Sequence, residues 1–141
     1  MITRNADARW EGDLKTGKGH IRLSSGAFEG PFSFGTRFEN APGTNPEELL
    51  GGAHAACFTM ALNNALTMAG LPPKQVATTA SVQMDRVDGK MTIVGITLRT
   101  RASIPGATRE QFLEHAENAK RDCIVSRALA QVPMTLDAAL E

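Results

Sequence analysis

The chain has 141 residues, with 15 Lys and Arg against 15 Asp and Glu and a formal net charge of zero. That balance argues against the basic stripe of a nucleic-acid binder and against an acidic solvating tail, and one Trp with no Tyr is poor material for a single-strand stacking platform. The length predicts one domain over residues 1–141, large enough to bury a core. Met1-Ile2-Thr3-Arg4-Asn5 carries no apolar run of the secretory type. The longest apolar stretch, Leu49 to Leu71, is interrupted by His54, Asn63, Asn64 and glycines, so it reads as a buried helix and not a membrane span. The expected address is cytoplasmic, with no membrane and no nucleic-acid partner.

The first third reads as strands. Ala6 to Leu14 alternates loosely around Trp10, and Lys15-Thr16-Gly17-Lys18-Gly19 makes a turn. His20 to Ser24 alternates with period two, and Pro31 to Phe34 follows the next glycine-bounded break, which predicts a hairpin or three-stranded meander. The loop Glu39-Asn40-Ala41-Pro42-Gly43 ends it. A long helix then starts at Thr44-Asn45-Pro46-Glu47-Glu48. Thr44 or Asn45 can cap it, Pro46 suits the first helical position, and the glutamates complement the helix dipole. Thr44-x-x-Glu47 also has the capping-box spacing. The helix is expected to end at Met68 or Ala69, before Gly70 and Pro72-Pro73. It is apolar around much of its circumference, so it should be buried on several sides.

Two long strands follow, Gln75 to Val87 and Met91 to Ile104, around the turn signal Asp88-Gly89-Lys90. Arg99 and Arg101 alternate with Leu98 and Thr100, the pattern of a sheet with one wet face. Thr108-x-x-Gln111 opens a second helix with a capping box, a short helical segment is expected over Val125 to Ala130, and Val132 to Leu136 suggests a last strand that Pro133 confines to an edge or a strand start. Segregated strands and helices predict an α+β fold.

The two cysteines, Cys57 and Cys123, are 66 residues apart, so they form no local Cys-x-x-Cys clip. Cys57 lies in the small-residue run Gly51-Gly52-Ala53-His54-Ala55-Ala56-Cys57-Phe58, which leaves room for approach to its sulfur. Cys123 follows the charged run Glu114 to Asp122. A distant second sulfur could resolve an oxidised first one, and cysteine pairs in a reducing compartment are usually catalytic or redox-sensing. The bland alternative is that both are inert, buried small hydrophobes.

The segment Gly43-Thr44-Asn45-Pro46-Glu47-Glu48-Leu49-Leu50-Gly51-Gly52-Ala53-His54-Ala55-Ala56-Cys57-Phe58 resembles the signature of the OsmC/Ohr family, the osmotically inducible and organic hydroperoxide resistance proteins. Thr36-Arg37-Phe38-Glu39 resembles the arginine segment of the OsmC branch, and Cys123-Ile124-Val125-Ser126 its second cysteine motif. Trp10-Glu11-Gly12-Asp13 and Thr135-Leu136-Asp137 also fit, so the resemblance spans essentially the whole chain. One position departs from the pattern: Ile124 stands where family members commonly have proline, which bears on the local helix start and on how Cys123 meets its partner.

The resemblance implies an OsmC-like fold with antiparallel sheets and a long central helix, assembled as an intertwined homodimer with two active sites at the subunit interface. It implies thiol-dependent reduction of hydroperoxides, especially organic ones, through a Cys57 sulfenic acid and a Cys57–Cys123 disulfide. An external dithiol, in the Ohr branch typically a lipoylated protein, would return the electrons. No cofactor and no metal are called for. The chemistry requires a thiolate at Cys57, and lowering a thiol pKa by two units takes only about 2.7 kcal/mol. Cys57 sits in mid-helix with no helix N-terminus to draw on, so the implied cation is Arg37, oriented by Glu47 through a bidentate pair. Without the resemblance, Arg37 would read as a solvated loop charge and Glu47 as a capping residue. Glu47 and Cys57 are ten residues apart, about 15 Å along a continuous helix. A glutamate cannot span that, so the Glu47 near a given sulfur would come from a second chain.

His54, one turn before Cys57, could be a base, or a zinc ligand with Cys57 and Cys123. No second close pair anchors such a site, and His54 reads as a packed helix residue near the cysteine. The competing function is a non-catalytic small-ligand or stress-sensing binding protein on the same fold. The simultaneous presence of Cys57, Cys123, Arg37 and Glu47 separates the two readings and favours the enzyme.

Overall fold

A computed structural model describes residues 1–141, which divide into two compact units, Met1–Leu49 and Leu50–Glu141. The first unit holds β1 (Ala6–Glu11), β2 (Lys18–Leu23) and β3 (Glu29–Phe32), an antiparallel meander in the order β1-β2-β3. Trp10 packs on Phe32 with ring centroids 5.5 Å apart, and its Nε1–H donates to the carbonyls of Gly12 and Asp13 at 3.0 and 3.3 Å. After β3 the chain makes a five-residue helix, α1 (Phe34–Phe38), where the sequence suggested only strand end and loop. Ser33 caps it: its hydroxyl accepts from the Thr36 N–H at 3.2 Å, while the Thr36 hydroxyl oxygen accepts from the Ser33 N–H at 2.8 Å. No hydrophobic side chain of this unit is fully buried; every one that is lies between Phe58 and Cys123.

The long helix α2 (Pro46–Met68) begins and ends as predicted, with one correction at its start. The Thr44–Glu47 capping box does not form. Asn45 is the cap, its Oδ1 accepting from the Glu48 N–H at 2.8 Å, and the Glu47 carboxylate turns to Arg37 instead. At the other end Gly70 has φ of +75°, a region that costs glycine nothing. Its N–H bonds the Thr67 carbonyl at 3.0 Å and that of Leu71 bonds Leu66 at 2.9 Å, a Schellman arrangement.

The second unit is built on a sheet of order β4-β5-β6, from β4 (Gln75–Val87), β5 (Lys90–Ser103) and β6 (Met134–Leu140). The β4–β5 turn is Asp88–Gly89, both residues at positive φ (50° and 78°) as the primed hairpin turns require. Opposite Gln83 and Met84 the register skips Val94, a bulge that lets so long a hairpin bend. β6 is an edge strand beginning just after Pro133, as expected, but it pairs in parallel with β5. The return needs a crossover, supplied by α3 (Arg109–Asp122) and α4 (Ile124–Ala128). α3 starts at the expected Thr108–Gln111 capping box.

One sheet face is wet: Arg99 Nε and Arg101 Nη2 donate to Asp137 Oδ2 at 3.0 and 3.1 Å, holding that carboxyl below its usual range. The other face carries Ile96, Leu98, Thr100 and Ala102, which join Phe58, Leu62 and Leu66 of α2 and Phe112 and Ala116 of α3 in the core. A ladder of hydroxyls crosses it. Thr59 donates to Thr78 at 2.8 Å, Thr78 to Thr100 at 3.1 Å, and Thr100 to the Ala77 carbonyl at 3.2 Å, so the fully buried Thr100 is satisfied. Within one chain α2 buries a single stripe, Gly51, His54, Phe58, Leu62 and Leu66. Gly52, Ala53, Ala56 and Met60 stay exposed, Met60 at 74%. The burial on several sides expected from its apolar circumference is not reached by one copy alone.

Leu62 lies fully buried at the centre of that stripe. Leu62→Ala should lower unfolding stability by about 3 kcal/mol, read as a lower urea midpoint with unchanged slope.

Candidate active site

The four residues singled out from the sequence form two pairs. In the first unit, α1 carries Arg37 and the first turn of α2 carries Glu47. The guanidinium reaches the carboxylate with Nη2–Oε1 at 2.6 Å and Nε at 3.1 and 3.2 Å from the two oxygens, a fork-on-carboxylate contact that sets the plane of the arginine. Glu47 is buried, its side chain 9% exposed, whereas Arg37 is 43% exposed and lies over the Phe38 ring at 5.1 Å. One face of a fixed cation is therefore left free, and Glu47 acts as a tether and not a cap.

In the second unit, Cys57 and Cys123 are both free thiols, Cys57 half-buried and Cys123 buried. Cys123 ends α3 and caps α4 at once, in extended backbone (φ −61°, ψ 143°) that neither helix could accommodate. Burial pushes the Cys57 thiol above its ordinary value; the Val125 N–H opposes this, the hydrogen bond and Coulombic repulsion from Cys123 add to it, and the Ile124 N–H opposes it again. The two sulfurs, 66 residues apart in sequence, are thus neighbours. Cys57 lies in mid-helix, and the backbone N–H groups of Val125 and Ile124, in the first turn of α4, act against the rise in its pKa. The departure from proline at Ile124 leaves the start of α4 intact and keeps a backbone N–H that proline lacks.

Behind the thiols lies a group that the sequence reading did not assemble. His54 is fully buried, and its Nε2 is 2.8 Å from the Ser126 Oγ. That hydroxyl is 3.2 Å from the Cys123 sulfur, which also accepts from the Ser126 N–H at 3.3 Å. Burial lowers the His54 pKa and keeps the ring neutral. The signal in the sequence was the Cys123-x-x-Ser126 spacing, which is that of an N-cap and the third residue of its helix; Cys123 is the cap. No group of three or more His, Cys, Asp or Glu side chains is arranged to hold a metal ion, and no helix is long and apolar enough to cross a membrane.

These features coincide with a known group of proteins. Residues 38–137 match the family model described as OsmC-like protein. The chain is 44% identical over 137 residues to proteins named Peroxiredoxin OsmC from Escherichia coli and Shigella flexneri, covering 96% of this chain and 95% of each relative. Among solved structures, it resembles the organic hydroperoxide resistance protein OhrB of Bacillus subtilis (TM-score 0.76, 26% identity, 98% of both chains). It also resembles an organic hydroperoxide resistance protein from Elizabethkingia anophelis (TM-score 0.78, 26% identity, 100% of this chain and 98% of that one). The protein belongs to the OsmC-like family and has its α+β fold.

Replacing Ile124 by proline removes one of the two backbone N–H groups that act to lower the Cys57 pKa. In a Cys123→Ser background, Ile124→Pro should raise the Cys57 thiol pKa, followed by thiolate absorbance against pH. An unchanged titration would show that this amide does not act on the sulfur.

Proposed function

We propose that the protein is a cysteine-based peroxidase that reduces hydroperoxides, organic ones preferentially. The observation that carries this reading is the proximity of two free thiols from distant parts of the chain, half-buried Cys57 and buried Cys123. The Peroxiredoxin OsmC relatives support it, as do the two organic hydroperoxide resistance proteins. The Cys57 thiolate attacks one peroxide oxygen. An S–O bond forms, the O–O bond breaks, and the other oxygen leaves as alkoxide and takes up a proton to give the alcohol. Cys57 is then a sulfenic acid. Attack by Cys123 gives the Cys57–Cys123 disulfide and water, and an external dithiol, such as a lipoylated protein, reduces the bridge.

Burial raises the Cys57 pKa, so the two α4 amides need a cation beside them to hold a thiolate at neutral pH. Arg37, oriented by Glu47, is that cation in this reading, supplied by a second copy of the chain. Two features support an intertwined homodimer. The helix is continuous from Pro46 to Met68, so about 15 Å of axis separates Glu47 from the Cys57 of the same chain. The first unit has no buried hydrophobic side chain of its own, and α2 exposes Ala53, Ala56 and Met60; a sheet and helix of this kind need a covering surface. Each site would then draw Cys57 and Cys123 from one chain and Arg37 and Glu47 from the other.

The test is peroxide consumption with dihydrolipoamide as donor, comparing a bulky organic hydroperoxide with hydrogen peroxide. Wild type should turn over, faster on the organic substrate. Cys57→Ser should be inactive, and Cys123→Ser should consume about one equivalent per site and then stall. Full activity of Cys57→Ser would defeat the assignment.

Mixing Cys57→Ser chains with Glu47→Ala chains should restore partial activity, because one composite site of each heterodimer carries both intact residues. Verified heterodimers that stay as inactive as their parents would instead assign Glu47 to its own chain.

A further inference from the structure

The His54–Ser126–Cys123 array is not accounted for by peroxide attack, which needs only Cys57 and a cation. All three side chains are buried, and they come from the middle of α2 and from the junction of α3 with α4. A histidine in a core of Phe58, Leu62 and Ile96 is a costly choice unless its polar atoms are used. One of them is: Nε2 bonds Ser126. The other, Nδ1, is buried with no partner.

That orphan atom decides the tautomer. A buried N–H without an acceptor is rare and costly, while a bare lone pair is tolerated more readily. The proton therefore sits on Nε2, and Nε2–H donates to the Ser126 Oγ at 2.8 Å. With its oxygen so engaged, the Ser126 hydroxyl is free to turn its own proton to the Cys123 sulfur at 3.2 Å. The Ser126 N–H points at the same sulfur at 3.3 Å. Two donors from one residue converge on Cys123, and His54 orients one of them.

We propose that His54 is a positioning residue for the resolving step, acting through Ser126, which fixes the Cys123 sulfur and donates hydrogen bonds to its thiolate as it attacks oxidised Cys57. This deepens the peroxidase reading and rests on it. In the step, the Cys123 thiolate attacks the sulfur of the Cys57 sulfenic acid. The S–S bond forms, the S–OH bond breaks, and hydroxide leaves with that electron pair. The proton released by Cys123 and the hydroxide make water. No charge need build up on His54, which fits a ring that burial keeps neutral.

Two measurements test this. The first is a stopped-flow reaction with one equivalent of organic hydroperoxide, resolving sulfenic acid formation from disulfide formation. Ser126→Ala should slow disulfide formation about tenfold, the worth of one hydrogen bond to a charged sulfur, with a much smaller effect on the peroxide phase. His54→Leu should slow it less, because the serine remains but loses its orientation, and His54→Gln, which keeps a donor, should recover part of the loss. Equal disulfide rates in wild type, Ser126→Ala and His54→Leu would overturn the proposal.

The second needs no peroxidase activity. In a Cys57→Ser chain, the rate at which Cys123 reacts with methyl methanethiosulfonate should fall when Ser126→Ala is added. If Ser126 merely packs, loosening the site would leave that rate unchanged or raise it, and either result would overturn the proposal. A wild type that consumes no peroxide while this second rate still falls would sink the peroxidase reading and leave the Ser126–Cys123 interaction standing.

Discussion

The hydrogen bond between His54 and Ser126 ties the middle of the central helix to the start of α4, where Ser126 in turn contacts the Cys123 sulfur. α4 has only five residues, too few to be a stable helix by itself, and it packs Val125 against the core. Anchored to His54, it presents Cys123 as its cap, near Cys57. The contact is made inside a core of aliphatic and phenyl side chains, where a neutral hydrogen bond is strong and an unmade one is expensive. The same burial that rigidifies the pair thus makes the spacing of the thiols hard to change.

Burial also sets the chemical problem of the site. It raises the Cys57 pKa, and the adjacent Cys123 raises it further, while reaction needs the thiolate. Dipoles are available locally, from the α4 amides. In the proposed homodimer a full charge would come from Arg37, whose guanidinium is held in one plane by Glu47 but still presents an open face. A fixed, partly desolvated cation serves this purpose better than a mobile one, because no ordering cost falls on the reacting state. Glu47 is buried and Arg37 is not, so the carboxylate is committed to its role while the arginine keeps capacity for a second partner.

Much of the fold was legible. The ends of α2 are written in Asn45-Pro46 and Gly70, the hairpin in Asp88-Gly89, and α3 in Thr108-x-x-Gln111; each is a local rule satisfied within a few residues. Where local rules competed, the tertiary partner won. Thr44-x-x-Glu47 has the spacing of a capping box, yet Glu47 serves Arg37, since a bidentate ion pair on a buried carboxylate outweighs a box that Asn45 can replace. α1 was missed because Ser33-x-x-Thr36 caps it too briefly to leave a hydrophobic period. The parallel pairing of β6 leaves no trace in a seven-residue strand, because the alternation of faces is the same in either direction.

The sequence by itself determined the α+β class, the central helix and its boundaries, and the family, because caps, turns and binary patterns act over a few positions and the cysteine segment is distinctive. What only the tertiary structure decided is how the residues of the site meet. That Cys123 comes near Cys57, and that His54 reaches Cys123 through Ser126, depends on where the β5–α3–α4–β6 crossover returns beside α2. Such contacts join positions some 70 residues apart, and no local spacing encodes them; they are settled by the packing of one helix against a sheet and the chain that crosses over it.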